Sequence, residues 1–265
     1  MARYKIEAKV LSQIRLNEDT FMIKVLAPDI ASAAKPGQFC MVGTMPQHLY
    51  DPLLNRPLSI FDVESDGAIS FLYKVVGRST SILASKCFGA SLYIVGPLGR
   101  GFSVKEGKAG LLVGGGMGVA PLYFLSKIYK WKQPMVMLMG LPTYKGFESL
   151  VDIFEKVSEQ LLVSTDDGSF GHKGLVTELL GQGLSYLHKQ SSKAQLVIYC
   201  CGPWPMMKAV SAWADKMNIE CQVSLEARMA CGTGLCLGCA VPKTQKGYLH
   251  VCKEGPVFDA KKVKW

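Results

Sequence analysis

The chain has 265 residues, 49% hydrophobic and 19% charged, with a formal net charge of +9. This is globular composition, with apolar material for two cores and an appendage. The most apolar run, residues 110–125, is broken by five glycines and Pro121, which excludes a membrane-spanning helix. Lysine and arginine are scattered and dense only at Lys261-Lys262-Val263-Lys264. The excess charge therefore reads as a solvated surface, or as a basic rim that guides an acidic partner or nucleotide phosphates, rather than as a nucleic-acid site. Met1-Ala2-Arg3-Tyr4-Lys5 leads straight into strand-like sequence without a signal peptide, so a cytoplasmic protein is expected.

Residues 1–101 carry six short runs rich in β-branched and aromatic residues: 4–16, 20–27, 38–42, 58–63, 68–76 and 91–96. Pro36-Gly37 and Asp66-Gly67 mark turns between them, which predicts an antiparallel barrel, with a short helix over 83–86. From 102 to 225 the pattern alternates. Strands are predicted over 111–113, 135–139, 161–164, 196–201 and 220–225. Helices are predicted over Pro121–Trp131 and residues 148–160, 175–187 and 205–217. Short connections between them predict a parallel sheet with helices on both faces, its ligands at the carboxyl ends of the strands. Residues 226–265 form a third unit dominated by cysteine and glycine, with a hairpin around 243–247.

The strongest motif is Cys231-Gly-Thr-Gly-Leu-Cys236-Leu-Gly-Cys239 with Cys252 beyond it, a C-x4-C-x2-C-x12-C spacing. Thiolates are the ligands of iron–sulfur clusters, and this is the plant-type [2Fe-2S] spacing. Gly232, Gly234 and Gly238 let peptide N–H groups approach the sulfurs. A four-cysteine zinc site is the alternative, but zinc sites usually come as two close pairs, whereas here three cysteines share one nine-residue loop. The other five, Cys40, Cys87, Cys200, Cys201 and Cys221, read as small buried hydrophobes.

Two further motifs point to nucleotides. Arg56-Pro57-Leu58-Ser59 opens a strand; its guanidinium can neutralise a diphosphate, and its serine and backbone can hydrogen-bond a flavin ring. Tyr73, Lys74 and Val75 then lead through Gly77 to Ser79-Thr80, a small-residue turn suited to phosphate. Gly114-Gly115-Gly116-Met117-Gly118 joins a strand to a helix, where backbone N–H groups can meet a phosphate; a tight turn is the plainer reading. Ser164-Thr165-Asp166-Asp167-Gly168 and Cys201-Gly202-Pro203 end later strands and face the same crevice. Cys201 reads either as a nicotinamide contact or as a buried strand-end cysteine.

In this order, R-P-L-S-I, G-G-G-M-G-V-A-P, C-G-P and S-L-E-A-R-M-A-C-G-T-G-L-C-L-G-C resemble the ferredoxin–NADP reductase superfamily. Within it they resemble the electron-transfer subunits of NAD-dependent, two-subunit dihydroorotate dehydrogenases. The resemblance implies a FAD-binding barrel, an NAD-binding α/β domain and a small [2Fe-2S] domain. It places FAD on Arg56, Pro57, Leu58, Ser59, Tyr73, Lys74, Val75, Ser79 and Thr80, and the cluster on Cys231, Cys236, Cys239 and Cys252. Where the family commonly has glycine-threonine in the phosphate turn, this chain has Ser79-Thr80. It further implies an FMN-containing, dihydroorotate-oxidising partner in a heterotetramer that serves pyrimidine biosynthesis. Service to a hydrogenase, glutamate-synthase-like or transhydrogenase complex, a free-standing reductase and a non-catalytic zinc module are the rival readings. Leu235 and Leu237 read as a docking surface or as local packing. A 2′-phosphate pocket would be sought after the second strand of the nucleotide domain, where Lys145 stands alone; the resemblance favours NAD.

Overall fold

A computed structural model describes residues 3–44, 51–130, 133–190 and 195–265. The first unit is a closed antiparallel barrel of β1 (Tyr4–Arg15), β2 (Thr20–Leu26), β3 (Phe39–Gly43), β4 (Arg56–Val63), β5 (Ala68–Lys74) and β6 (Ser91–Leu98), in the order β1-β2-β5-β4-β3-β6. Alternate residues such as Ala8, Val10, Ile23, Val25, Ile69 and Phe71 fill its interior, the period-2 burial expected of strands with one wet face. A helix α1 (Pro28–Ala33), absent from the sequence expectation, starts on Pro28, whose fixed φ suits a first turn, and buries Ile30 and Ala31. The expected helix over 83–86 is α2 (Arg78–Ala84), five residues earlier. Its start is set by Thr80, whose hydroxyl oxygen accepts from the N–H groups of Val76 and Gly77 at 3.0 and 3.1 Å.

The second unit is a sheet of β7 (Lys108–Gly115), β8 (Met135–Leu141), β9 (Gln160–Thr165), β10 (His172–Lys173), β11 (Gln195–Cys201) and β12 (Glu220–Ser224), all parallel. Helices α3 (Ala120–Tyr129) and α4 (Glu148–Glu155) cover one face, and α5 (Leu180–Gln190) and α6 (Trp204–Lys216) the other. Several expected bounds move. The helix predicted over 148–160 stops at Glu155, because Val157 turns into the core and Gln160 must already pair with Val136. The helix predicted from Leu175 begins as a 3-10 turn, Val176–Leu179. The two-residue β10 is too short to carry a periodic signal. The expected helix end at Trp131 lies outside the described residues, as do Met1 and Ala2.

The third unit holds the expected hairpin, β13 (Ala240–Pro242) with β14 (Tyr248–His250). It does not stand apart. A final strand, β15 (Val257–Asp259), adds antiparallel to β12, giving the sheet order β10-β9-β8-β7-β11-β12-β15. Cys239, Val241, Leu249, Val251, Cys252 and Phe258 share one core with α6 and with Phe39, Met41 and Leu98 of the barrel. Among the described residues, no helix is long and apolar enough to cross a membrane.

Under the sheet, the Tyr129 hydroxyl donates to the Tyr199 hydroxyl at 2.7 Å, and Tyr199 donates to the Ser103 carbonyl at 3.2 Å. Burial pushes both phenols up, which keeps them neutral. Tyr199→Phe leaves the buried Tyr129 donor without an acceptor and is expected to cost about 1–3 kcal/mol. Tyr129→Phe leaves Tyr199 still donating to Ser103 and is expected to cost about 1 kcal/mol or less. Urea unfolding of both variants checks the order, which is refuted if Tyr129→Phe is the more damaging.

Candidate functional site

The open end of the barrel faces the carboxyl ends of the parallel strands across a cleft of about 280 Å³. From the barrel side it is lined by Arg56, Pro57, Leu58, Ser59, Tyr73, Lys74 and Thr80; from the other side come Met117, Ala120, Cys201, Glu226 and Met229. The first set is most of the expected flavin set. Of the rest, Val75, Gly77 and Ser79 flank the cleft without lining it: Gly77 gives its N–H to Thr80, and Ser79 is buried in α2. Val76 lines it instead and is 79% exposed, an apolar patch that a flat ring system would cover. Arg56 Nη1 donates to the Leu54 carbonyl at 2.7 Å, and Tyr73 donates its hydroxyl to Gln13 Oε1 at 3.0 Å, so both side chains are held from behind. Arg56 and the first turn of α2, whose N–H groups have no helical partner, suit a diphosphate, whereas the ammonium of Lys74, the second expected cation, is ion-paired with Asp19 at 2.9 Å. The residues present therefore fit FAD.

A second cavity, about 370 Å³, lies on the other side of the glycine loop. Gly115 and Gly116 form one end; Gly140, Leu141 and Pro142 follow β8, Ser164 and Asp166 follow β9, and Pro203 and Met206 follow β11. Every one of these strands presents its carboxyl end, the crevice expected of such a sheet. Gly114 and Gly118 do not line it. A Cβ on Gly118 would collide with the backbone of Cys201 and Gly202, so this glycine lets the two loops touch. A Cβ on Gly202 would meet Met206 and Gly115, so Gly202 also serves that contact. Cys201 faces the flavin cleft rather than this cavity; burial raises its thiol pKa first and Glu226 adds to it, so it stays neutral. Thr165 donates to the Phe170 carbonyl at 2.8 Å, and Asp167 accepts from the hydroxyl and N–H of Ser169 at 2.6 and 3.0 Å. Those bonds bring the Asp167 carboxyl down to about 2. Lys145 lines neither cavity.

The cysteine loop sits against the barrel. Gly232 has φ +68, a conformation that side chains resist, and a Cβ there would strike Met41 of β3. The four thiols lie as two pairs. Cys231 Sγ accepts from the N–H groups of Thr233 and Cys236, each at 3.4 Å, and interacts with the Cys236 thiol. Cys239 Sγ lies 3.2 Å from Cys252 Sγ and accepts the Cys252 N–H at 3.4 Å. Desolvation works upward on Cys231, but the N–H groups of Cys236 and Thr233 outweigh it and bring it down to about 5. Desolvation, and then Cys239, push Cys252 up to about 12. Among the described residues, no three ligating side chains converge on a single point. Two pairs of thiols, one pair per iron, fit a two-iron cluster. Glu226 and Met229, which the sequence expectation did not place at the flavin, reach its cleft because they run between β12 and this loop.

Barrel, crevice and cysteine loop together define a flavin- and nicotinamide-linked iron–sulfur reductase with the ferredoxin–NADP reductase fold. Residues 226–264 match the iron–sulfur cluster binding domain of dihydroorotate dehydrogenase B, and residues 112–212 the oxidoreductase NAD-binding domain. The chain is 39% identical to the dihydroorotate dehydrogenase B (NAD(+)) electron transfer subunit of Caldanaerobacter subterraneus subsp. tengcongensis, over 98% of this chain and 99% of that one. It is 37% identical to the same subunit of Clostridium acetobutylicum, over 97% and 95%. A solved NADH-dependent reduced ferredoxin-NADP oxidoreductase, studied for flavin-based electron bifurcation, superposes with a TM-score of 0.83 at 31% identity, over 97% of this chain and 90% of that one. A ferredoxin NADP+ reductase from Neisseria gonorrhoeae shares the fold, with a TM-score of 0.64 at 15% identity over 80% and 91%. The chain belongs to the family of dihydroorotate dehydrogenase B electron transfer subunits.

Cys239→Ser is expected to reduce iron and acid-labile sulfide to background in anaerobically purified protein while FAD stays at the parent stoichiometry. Cys87→Ser, at an exposed position away from the loop, should leave both unchanged. Equal iron in Cys239→Ser and the parent would remove Cys239 from the ligand set.

Proposed function

We propose that this chain takes electrons from a dihydroorotate-oxidising catalytic partner and delivers them to NAD+, through a [2Fe-2S] cluster on Cys231, Cys236, Cys239 and Cys252 and FAD in the barrel cleft. When bound, the cluster would carry single electrons and the flavin would combine two of them with a proton as the hydride that NAD+ accepts. The protein's part is position. The observation that carries the reading is the placement of Met229 in the wall of the flavin cleft, two residues before Cys231. Two residues of chain span at most about 7 Å between Cα atoms. The first cluster ligand is therefore tied to the flavin cleft at short range.

Arg56 offsets the FAD diphosphate, Ser59 and the β4 backbone meet the ring, Tyr73 and Lys74 line the β5 side, and Thr80 holds the phosphate turn. Gly115 and Gly116 admit the NAD pyrophosphate, while Gly114, Gly118, Cys201 and Gly202 hold the loop that separates the two cofactors. The units are 1–101 for FAD, 102–225 for NAD and 226–265 for the cluster. The partner carries FMN, and two copies of each subunit form a heterotetramer that serves pyrimidine biosynthesis. The chain works in the cytoplasm, whose reducing conditions keep the cluster thiols out of disulfides. Leu235 and Leu237, 84% and 57% exposed on the cluster loop itself, supply the docking surface. A second reading, service to a different electron-donating partner, draws support from the superposition on the bifurcating oxidoreductase.

Copurification decides between the two. The complex with the copurified partner should reduce NAD+ with dihydroorotate, and the isolated chain should show only NADH-driven reduction of artificial acceptors. Leu237→Glu should weaken association with the partner at least tenfold, the effect of a charge buried unpaired at an interface, with FAD still bound. Unchanged association would place the interface elsewhere.

A further inference from the structure

We propose that Glu226 is a redox-linked proton site: its carboxyl takes up a proton when electrons reach the flavin cleft and gives it back when they leave. The assignment rests on that cleft being the FAD site. Glu226 stands at the head of the stretch between β12 and the cysteine loop, and among the described residues it is the one acid that lines the cleft. Its side chain is open to the cleft and takes part in no hydrogen bond or ion pair among the described residues. The protein around it strips water from the carboxyl and raises its pKa above the ordinary value, with no cation opposing this.

The charged and titratable groups that face it leave it uncompensated. From β11, the Cys201 thiol is neutral, and Glu226 itself adds to the rise in its pKa. From β4, Arg56 Nη1 is held on the Leu54 carbonyl. From β5, the Lys74 ammonium is ion-paired with Asp19, and the Tyr73 phenol, pushed up by burial, donates to Gln13. Arg228, two residues further on, is exposed and does not act on the carboxyl. Met117, Ala120 and Met229 complete the wall without charge.

Two electrons and one proton, the content of a hydride, leave one negative charge in the cleft. A carboxylate beside it then faces like charge, which raises its pKa again. Below the lower of its two pKa values Glu226 is protonated in both redox states, and above the higher it is ionised in both. Between them, the electron pair brings one further proton onto Glu226, and the flavin potential falls more steeply with pH. When the hydride passes to NAD+, the charge leaves with it and the Glu226 proton returns to water. Two electrons and one proton thus go to the nicotinamide and one proton to solvent.

Potentiometric titration of the FAD- and cluster-loaded chain, followed at the flavin absorbance from about pH 5 to 9, spans the range into which a raised carboxyl moves. Over part of that range the slope for the parent should correspond to one proton more per electron pair than the slope for the isosteric Glu226→Gln. Glu226→Asp should retain the extra proton, and Asp152→Asn, at an exposed position on α4, should match the parent. The reduced-minus-oxidised infrared difference spectrum of the parent should also show a carboxylic acid C=O band that Glu226→Gln lacks. Equal slopes in the parent and Glu226→Gln at every pH overturn the assignment while leaving the flavin site standing. If Glu226→Gln does not retain FAD, absence of the infrared band from the parent overturns it equally. A parent that binds no FAD overturns the flavin site as well.

Discussion

The arrangement turns on one short stretch of backbone, residues 225–232, which must touch three things at once. The Leu225 N–H donates to the Pro256 carbonyl at 2.9 Å, so the stretch leaves β12 held against the returning β15. Glu226, Ala227 and Met229 then wall the flavin cleft, and Gly232 lies on Met41 of the barrel. A chain that only needed to bind metal could form its loop anywhere. This one places its first thiol where barrel, sheet and loop meet, and the shared core from Phe39 to Phe258 keeps it there. Electron transfer requires closeness, and the fold supplies it through packing rather than through a flexible tether.

A second joint fixes the flavin strand to the nucleotide domain. Phe61 of β4 stacks on Tyr123 of α3 with ring centroids 4.4 Å apart and planes 7° from parallel. One turn further on, Lys127 reaches back to Asp62 at 2.5 Å and to the Val63 carbonyl at 3.2 Å. Desolvation raises the Asp62 pKa and Lys127 opposes it. Tyr123 lies one turn into α3, close behind the glycine loop, and Lys127 lies in its last turn, so the two contacts hold the helix near both ends against the part of β4 that is remote from Arg56. The spacing between the two cavities is thereby fixed along the length of α3.

What the sequence disclosed, and what it withheld, follows from the range of each signal. The C-x4-C-x2-C loop, the glycine turn and the barrel's alternating strands are local patterns, and each appears where its residues predict. The pairing of β15 with β12 depends on the chain returning across some thirty residues to a sheet edge, and three residues carry no periodicity that could announce it. The helix over 148–160 was legible in kind but not in length, since its end is set by where β9 must begin. Gly114 and Gly118 look like phosphate-binding glycines, yet their missing side chains are used for packing against Val119, Met137 and Cys201. A glycine needed for close approach to a ligand and one needed for close approach of two loops are indistinguishable until the partner backbone is in view.

The cysteines show the same sorting by environment. Cys40, Cys200, Cys201 and Cys221 are enclosed by apolar neighbours, and burial pushes each thiol upward, Cys221 to about 12. Such thiols have no inclination to ionise and serve as small hydrophobes. Cys231 differs in two ways: it is only half-buried, and its loop turns the N–H groups of Thr233 and Cys236 onto its sulfur, with the side chains of the same two residues adding to them. Those N–H groups can converge because Gly232 and Gly234 hold positive φ angles, which leaves the peptide planes facing inward. The glycines of the motif thus act on the chemistry of the cysteines beside them: they shape the backbone, the backbone supplies the dipoles, and the dipoles favour the thiolate that iron requires.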